Sequence, residues 1–179
     1  VIGSLLNLIP NENFNGSATI TVTASDGTES SSPASFTLTV NPVNDAPVLA
    51  SIADQSTAED TPLTVTLSAS DVDGDSLTYS AVSSTENIIV SVSGSVLTLA
   101  PVSNFNGSGI INVTASDSTV SSNTVTFTVT VTSINDVPVL AAIDNQTVSE
   151  DQSMSVSLSA TDEDGDNITY SAVSDTAAV

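Results

Sequence analysis

The 179-residue chain contains no lysine, arginine, histidine, cysteine or tryptophan. Each absence removes a class of chemistry. Without cysteine there is no disulfide, and the redox compartment cannot be read from thiols. Without lysine there is no internal isopeptide crosslink. Without any cationic side chain there is no intrachain salt bridge and no ordinary means of gripping phosphate, so nucleic acid is excluded as a partner. The absence of histidine and cysteine argues against zinc, copper and iron–sulfur sites. No apolar run approaches the ~20 residues of a membrane helix, so no membrane insertion is expected. No signal peptide is visible and the chain starts at Val1, which reads as an excerpt whose targeting signals lie outside it.

What remains is acidic and apolar at once. There are 21 acidic residues and a formal charge of -21, yet 39% of residues are hydrophobic and the mean hydropathy is positive. Disordered acidic tails lack such apolar content. Val, Ile, Leu and Ala with abundant Ser and Thr suit thin, half-buried strands whose wet face is hydroxylated. Two carboxylates about 4 Å apart repel by roughly 1 kcal/mol in water and about 4 kcal/mol at a surface dielectric. Monovalent salt, screening over about 8 Å, does little for oxygens that nearly touch. Clusters of acids in this chain therefore call for a counter-ion from solution.

Self-similarity organises the sequence. "NFNGS" occurs at Asn13–Ser17 and Asn104–Ser108, "VTASD" at Val22–Asp26 and Val113–Asp117, "DVDGD" at Asp71 and "DEDGD" at Asp162, and "TYSAVS" at Thr78 and Thr169. The offset is 91 residues throughout, without insertion or deletion. Asp26, Asp45, Glu59, Asp60, Asp71, Asp73 and Asp75 all recur as acids one offset later, which places 14 of the 21 carboxylates in register. Solubility requires only a total charge; fixed positions point to a site.

A unit of this length suits a small β-sandwich. Period-2 alternation predicts strands near Val48–Ile52 (extending to Thr57), Leu63–Ala69, Leu77–Val82, Ile88–Val92, Ser95–Leu99, Gly109–Ala115 and Thr124–Val131, with no useful helical periodicity. The expected fold is all-β: tandem seven-stranded Greek-key β-sandwich domains joined end to end. Pro47 and Pro138, each after a long strand, mark unit starts. Residues 1–45 then read as the C-terminal half of one repeat, 46–136 as a complete repeat, and 137–179 as the N-terminal half of a third. The two partial pieces total 88 residues. They are either a window cut from a longer array or halves that complement each other between chains.

The acids have the ligand chemistry of calcium, a hard cation that takes 6–8 oxygens. "DVDGD" is not an EF-hand loop, because Gly74 stands fourth and not sixth. Asp71, Asp73 and Asp75 alternate, so in extended chain they share one face, and Gly74 permits a bend. Turn formation by Asp and Gly is the plainer reading of such a loop, but it accounts for one or two acids, not three in register with four others. The "NFNGS" segment reads as a tight turn at Asn106–Gly107 with Phe105 anchoring a loop in the core. Tyr79 and Tyr170 fit core positions of a strand. Asn15, Asn106, Asn112, Asn145 and Asn167 fit the N-x-S/T pattern, which arises by chance in so Ser/Thr-rich a chain.

Glu59, "SASDVDGDSLTYSA", "VTASD" and the linker "PVNDAPVL" together make the unit resemble the cadherin-like tandem repeat of large bacterial surface adhesins. In that family calcium sits between successive domains and stiffens the array. The resemblance implies Ca2+ ligands at Asn44 and Asp45, Asn135 and Asp136 in the linkers; at Asp71 and Asp73, Asp162 and Asp164 in the following domain; at Asp117 and Asp26 late in a repeat; and at Glu59 and Glu150 reaching a junction. It departs from the family in lacking a second linker Asn, since Ala46 and Val137 follow the Asp, and in lacking mid-repeat acids, which implies fewer ions at each junction. Asp75 and Asp166 receive no role from it. The function implied is a structural, calcium-binding stalk or fibre of an extracellular or cell-surface adhesin, with neighbouring repeats as partners and any glycan or protein target reached through regions outside this segment. The alternatives are a calcium-dependent carbohydrate- or self-binding module, or the subunit of a head-to-tail filament formed by strand complementation. An enzyme is not expected: paired carboxylates serve glycosidases, but these lie in short repeated loops without a basic or imidazole partner.

Overall fold

Alternation of Thr or Ser with Val, Leu or Ile turns into strands along a computed structural model that describes residues 3–176. They are β1 (Gly16–Val22), β2 (Ala34–Val40), β3 (Val48–Leu49), β4 (Gln55–Ala58), β5 (Leu63–Thr66), β6 (Ala69–Ser70), β7 (Thr78–Ser83), β8 (Ile88–Ser93), β9 (Val96–Pro101), β10 (Gly107–Ser116), β11 (Val125–Thr132), β12 (Val139–Leu140) and β13 (Ala160–Thr161). No helix occurs among the described residues.

Strands β3–β11 make a sandwich. One sheet has the order β4-β11-β10-β7, and the other is built from β5-β9-β8 with β3 pairing β6 beside it. All neighbours are antiparallel except β4 and β11, which run parallel with Val129 opposite Gln55. Non-consecutive neighbours in both sheets give the Greek-key connectivity expected of an Ig/cadherin-like fold. Inward residues of β10 (Ile111, Val113, Ala115) and of β11 (Phe127, Val129, Val131) meet Leu97 and Leu99 of β9, Ile88 of β8, Leu49 and Leu67 in one core. Each Val, Leu, Ile or Phe among them contributes about 1.5–3 kcal/mol on leaving water.

Two predicted strands are divided by their neighbours. The first breaks into β3 and β4 as the chain crosses from one sheet to the other; Asp54, between them, accepts the Thr128 N–H at 2.7 Å. The second breaks into β5 and β6. Leu67 N–H bonds Ser95 O at 2.8 Å while Ser68 O accepts from Ala50 at 2.9 Å, so the chain exchanges β9 for β3 as partner. The "NFNGS" turn also lies earlier than the dipeptide suggests. Phe105 N–H closes a turn on Val102 O, and Asn104, not Asn106, adopts positive φ (56°). Phe105 packs against the core, as expected, with its ring over Gly107, where a Cβ would come within 3.1 Å of it.

On either side of the sandwich lie smaller sheets, the β1–β2 hairpin and the β12–β13 pair. Their residues repeat core positions of the sandwich, but their apolar faces are open. Phe127 is 3% exposed and its counterpart Phe36 45%; Leu49 is 3% and Leu140 55%.

Removing packing from the closed core should be costly. Leu99→Ala is expected to lower unfolding free energy by about 2–5 kcal/mol, whereas Val82→Ala on the exposed side of β7 should change it by no more than about 0.5 kcal/mol. Urea unfolding followed by far-ultraviolet circular dichroism distinguishes the two.

Candidate metal centres at the unit junctions

An acidic side chain withdrawn from water can find its partner only in a backbone N–H, an amide or a hydroxyl, since the chain supplies no cationic side chain. At the second junction three elements bring three carboxylates together. Glu59 follows β4, whose parallel pairing with β11 holds it beside the outgoing chain: Glu59 N–H donates to Thr132 O at 2.9 Å, and Glu59 Oε1 accepts the Ile134 N–H. Glu59 is buried. Asp136 arrives with the linker, and its N–H donates to Asp164 Oδ2 at 2.6 Å; Ser133 Oγ donates to Asp164 Oδ1 at 3.1 Å. One oxygen each from Glu59, Asp136 and Asp164 lie within 4.8 Å of one another. Burial, then the Asp164 and Glu59 charges, push the Asp136 carboxyl above its ordinary pKa. In folded, cation-free protein that charge is unfavourable above the raised pKa, and the cost disappears as pH falls below the unfolded value.

The first junction repeats part of this arrangement. Asp45 N–H donates to Asp73 Oδ2 at 2.8 Å, matching the Asp136–Asp164 contact. Asn44 Nδ2 donates to Asp117 Oδ2 at 2.8 Å and to Asp45 O at 3.1 Å. Asp117 is buried and also accepts the Thr119 and Val120 N–H groups at 2.6 and 2.7 Å through Oδ1. Asn44, then the Val120 N–H, hold its carboxyl below the usual range. Asp117 thus ties the β10–β11 loop to the preceding linker. Asp26, its repeat counterpart, is exposed and accepts only within its own turn, from Thr28 and Glu29 at 2.9 Å; the Glu29 N–H leads in lowering its pKa.

The DVDGD loop makes a second acidic cluster, with oxygens of Asp71, Asp73 and Asp75 within 4.8 Å of one another. Gly74, with φ of 79°, supplies the bend. Asp71 Oδ1 accepts the Asp73 N–H at 2.9 Å and the Asp75 N–H at 3.4 Å. Its other oxygen, Oδ2, is buried without a hydrogen-bond partner. A buried carboxylate oxygen with nothing to accept from is costly, and a hard cation is the partner an all-oxygen set suits. The donor chemistry at both clusters therefore fits Ca2+.

Of the residues singled out from sequence, Glu59, Asp136 and Asp164 form one group, and Asp71 and Asp73 form another with Asp75, which the resemblance had left without a role. Asp162 accepts the Asp166 N–H at 3.1 Å and shapes its own loop. Asn135 donates to Asp136 O at 2.7 Å and orders the linker. Glu150 is exposed and joins neither group. The part of Asn44 as donor to Asp117 required knowing that β10–β11 folds back on the linker, which spacing alone does not reveal.

Comparison with known proteins gives one family match and several structural similarities at low identity. No curated protein matches the sequence. Among solved structures, human mucin-like protocadherin EC1-2 is 21% identical, with 73% of this chain and 74% of that one covered and a TM-score of 0.49. A nucleoside hydrolase-related protein of Saccharophagus degradans associated with carbohydrate metabolism is 20% identical over 51% of this chain, which spans 26% of that protein, with a TM-score of 0.42. Surface layer protein SbsC, domains 4–9, is 19% identical over 73% of this chain and 20% of that one, at a TM-score of 0.40. Residues 44–130 match the bacterial Ig domain family, and the all-β sandwich they build is Ig-like.

Proposed function

We propose that the chain is a structural, calcium-binding repeat segment of an extracellular adhesin stalk or fibre, stiffened where its units join. The observation that carries this reading is the convergence of Glu59, Asp136 and Asp164 from three elements, within 4.8 Å, in a chain without a single cationic side chain. Glu59 belongs to the complete unit, Asp136 to the linker and Asp164 to the following segment. A divalent cation held by all three would neutralise their repulsion and tie the two units together. Asp71, Asp73 and Asp75 would hold a second ion, with the orphaned Asp71 Oδ2 as one ligand. The match of residues 44–130 to bacterial Ig domains supports a role outside the cell. The role is mechanical and not catalytic: the acids sit in loops that face one another across joints, and Tyr79, Phe105 and Phe127 pack on or in the core, leaving the complete unit no aromatic platform for a sugar.

Calcium should extend the molecule. Small-angle scattering under dilute conditions should give a larger maximum dimension with millimolar Ca2+ than with chelator; equal values in the two conditions would refute junction stiffening. Asp136→Asn should weaken calcium binding at least ~10-fold in titration calorimetry, while raising the melting temperature of the chelated protein by removing a charge that burial and two neighbouring acids disfavour. The opposite sign holds at Asp117. Its depressed pKa stabilises the fold above the unfolded value of about 3.9 and ceases to do so as pH falls through the folded value. Asn44→Ala should therefore lower the melting temperature at pH 7, and the difference from the parent chain should shrink as acid titrates Asp117.

A further inference from the structure

The "NFNGS" segment travels with the acids at the same 91-residue offset, yet it contains no acid itself. In the complete unit it belongs to the loop between β9 and β10, and that loop touches the turn that carries Glu59.

Two turns of the complete unit share one form. Ala58–Thr61 closes with the Thr61 N–H on Ala58 O at 3.3 Å, and Val102–Phe105 closes with the Phe105 N–H on Val102 O at 3.2 Å. In each the third residue has positive φ, 58° at Asp60 and 56° at Asn104. Asp and Asn tolerate that conformation better than other residues with a side chain. The same turns recur one offset away: Gln152 N–H on Ser149 O with Asp151 at 62°, and Phe14 N–H on Asn11 O with Asn13 at 59°. Among the described residues five non-glycines have positive φ, and four of them are these turn positions.

In the complete unit the two third residues are bonded to each other. Asp60 Oδ1 accepts the Asn104 N–H at 3.2 Å, across 44 residues of chain. Both sides of this clasp are anchored. Asn104 precedes Phe105, which packs against the core with its ring over Gly107. Val102 N–H, at the start of the same turn, bonds Asn87 O at 2.9 Å. On the other side Thr57 Oγ1 donates to Thr61 O at 2.8 Å and spans the Asp60 turn. Glu59 is the second residue of that turn. Its own bonds run to β11 and the chain just after it, through Thr132 O and the Ile134 N–H. The Asp60 bond ties the turn to a further element, the β9–β10 loop.

Asp60 is exposed and lies outside the group formed by the Glu59, Asp136 and Asp164 oxygens. A polar group that stands beside a ligand and is itself fixed by the fold is what holds a ligand in place. Asp60 also stands near enough to Asp136 for its charge, after burial and the Asp164 and Glu59 charges, to help raise that carboxyl's pKa. Position and charge must therefore be told apart.

We infer that the "NFNGS" loop positions Glu59: the Asn104 N–H holds Asp60, and Asp60 holds the turn that presents the Glu59 carboxylate to Asp136 and Asp164. Asp60 is a positioning residue that acts through Glu59 and not through its own charge. The consequence for calcium rests on the junction reading above; the hold on the Glu59 turn does not.

Two variants of the full chain separate position from charge. Asp60→Ala removes the acceptor and the charge and disfavours positive φ. Asp60→Asn removes the charge but keeps an Oδ1 acceptor and tolerates that φ. In calcium titration calorimetry, with Glu59→Gln marking the binding event of the junction, Asp60→Ala should weaken that event at least ~10-fold. Asp60→Asn should weaken it by no more than ~3-fold, because an exposed charge outside the group adds little. Amide hydrogen exchange in chelator reads the hold without metal. The Glu59 and Ile134 amides should exchange at least ~10-fold faster in Asp60→Ala and at parental rates in Asp60→Asn, while Val113 in the core keeps its parental rate in both. Equal weakening of calcium binding by the two variants overturns the inference in favour of charge. Parental exchange at Glu59 and Ile134 in Asp60→Ala overturns the clasp, and faster exchange at Val113 as well overturns a local hold. Parental calcium affinity in Asp60→Ala, with faster exchange, overturns the link to the ligand. A parent chain that binds no calcium overturns the junction reading instead, and faster exchange confined to the Asp60→Ala turn would then still support the clasp.

Discussion

Charge of a single sign is the constraint on which the joints of this molecule depend. With 21 carboxylates and no side-chain cation, an acid withdrawn from water must be met by amides, hydroxyls or an ion from solution. The molecule uses backbone amides first. Asp117 takes two, Asp71 takes two, Asp164 takes one from the linker residue Asp136, and Glu59 takes one from the chain leaving β11. These bonds orient the carboxylates but leave oxygens over. Where the surplus oxygens converge, burial and like charge raise a pKa, as at Asp136, or leave an oxygen unpartnered, as at Asp71.

The sandwich positions those joints. Parallel pairing of β4 with β11 sets the loop after β4 beside the exit of β11, and this is why Glu59 meets the outgoing linker. The β10–β11 loop, held by Asp117, meets the incoming linker through Asn44. A unit therefore offers one acid group at each end, from loops far apart in sequence. The fixed offset repeats these acids 91 residues later.

Much of this was legible in the residues. Alternation located the strands of the complete unit, because one face of each strand is buried and the other wet, and the core residues of β10 and β11 fall where period 2 puts them. The acids likewise showed themselves by register. What the sequence did not show is what depends on neighbours. A strand that changes partner at Leu67 looks continuous, since both partners bury the same face. Asn104 rather than Asn106 takes the left-handed conformation, because Gly107 already begins β10 beneath the Phe105 ring. Asp162 and Asp164 look alike in a repeated motif, yet one folds its own loop and the other faces a preceding unit. Asp75 gained a place beside Asp71 and Asp73 only through the bend at Gly74.

The four-residue ladder between β4 and β11 also has a mechanical meaning. β4 lies near the start of the unit and β11 at its end, and they run in the same direction, Gln55–Ala58 against Val129–Thr132. When tension is applied along a string of such units, the two strands are drawn in opposite directions along their own axes. Their hydrogen bonds are then strained together in shear instead of being opened one after another, as they would be in a hairpin pulled from its open end. In such a string the ladder would make each unit resist extension as a whole.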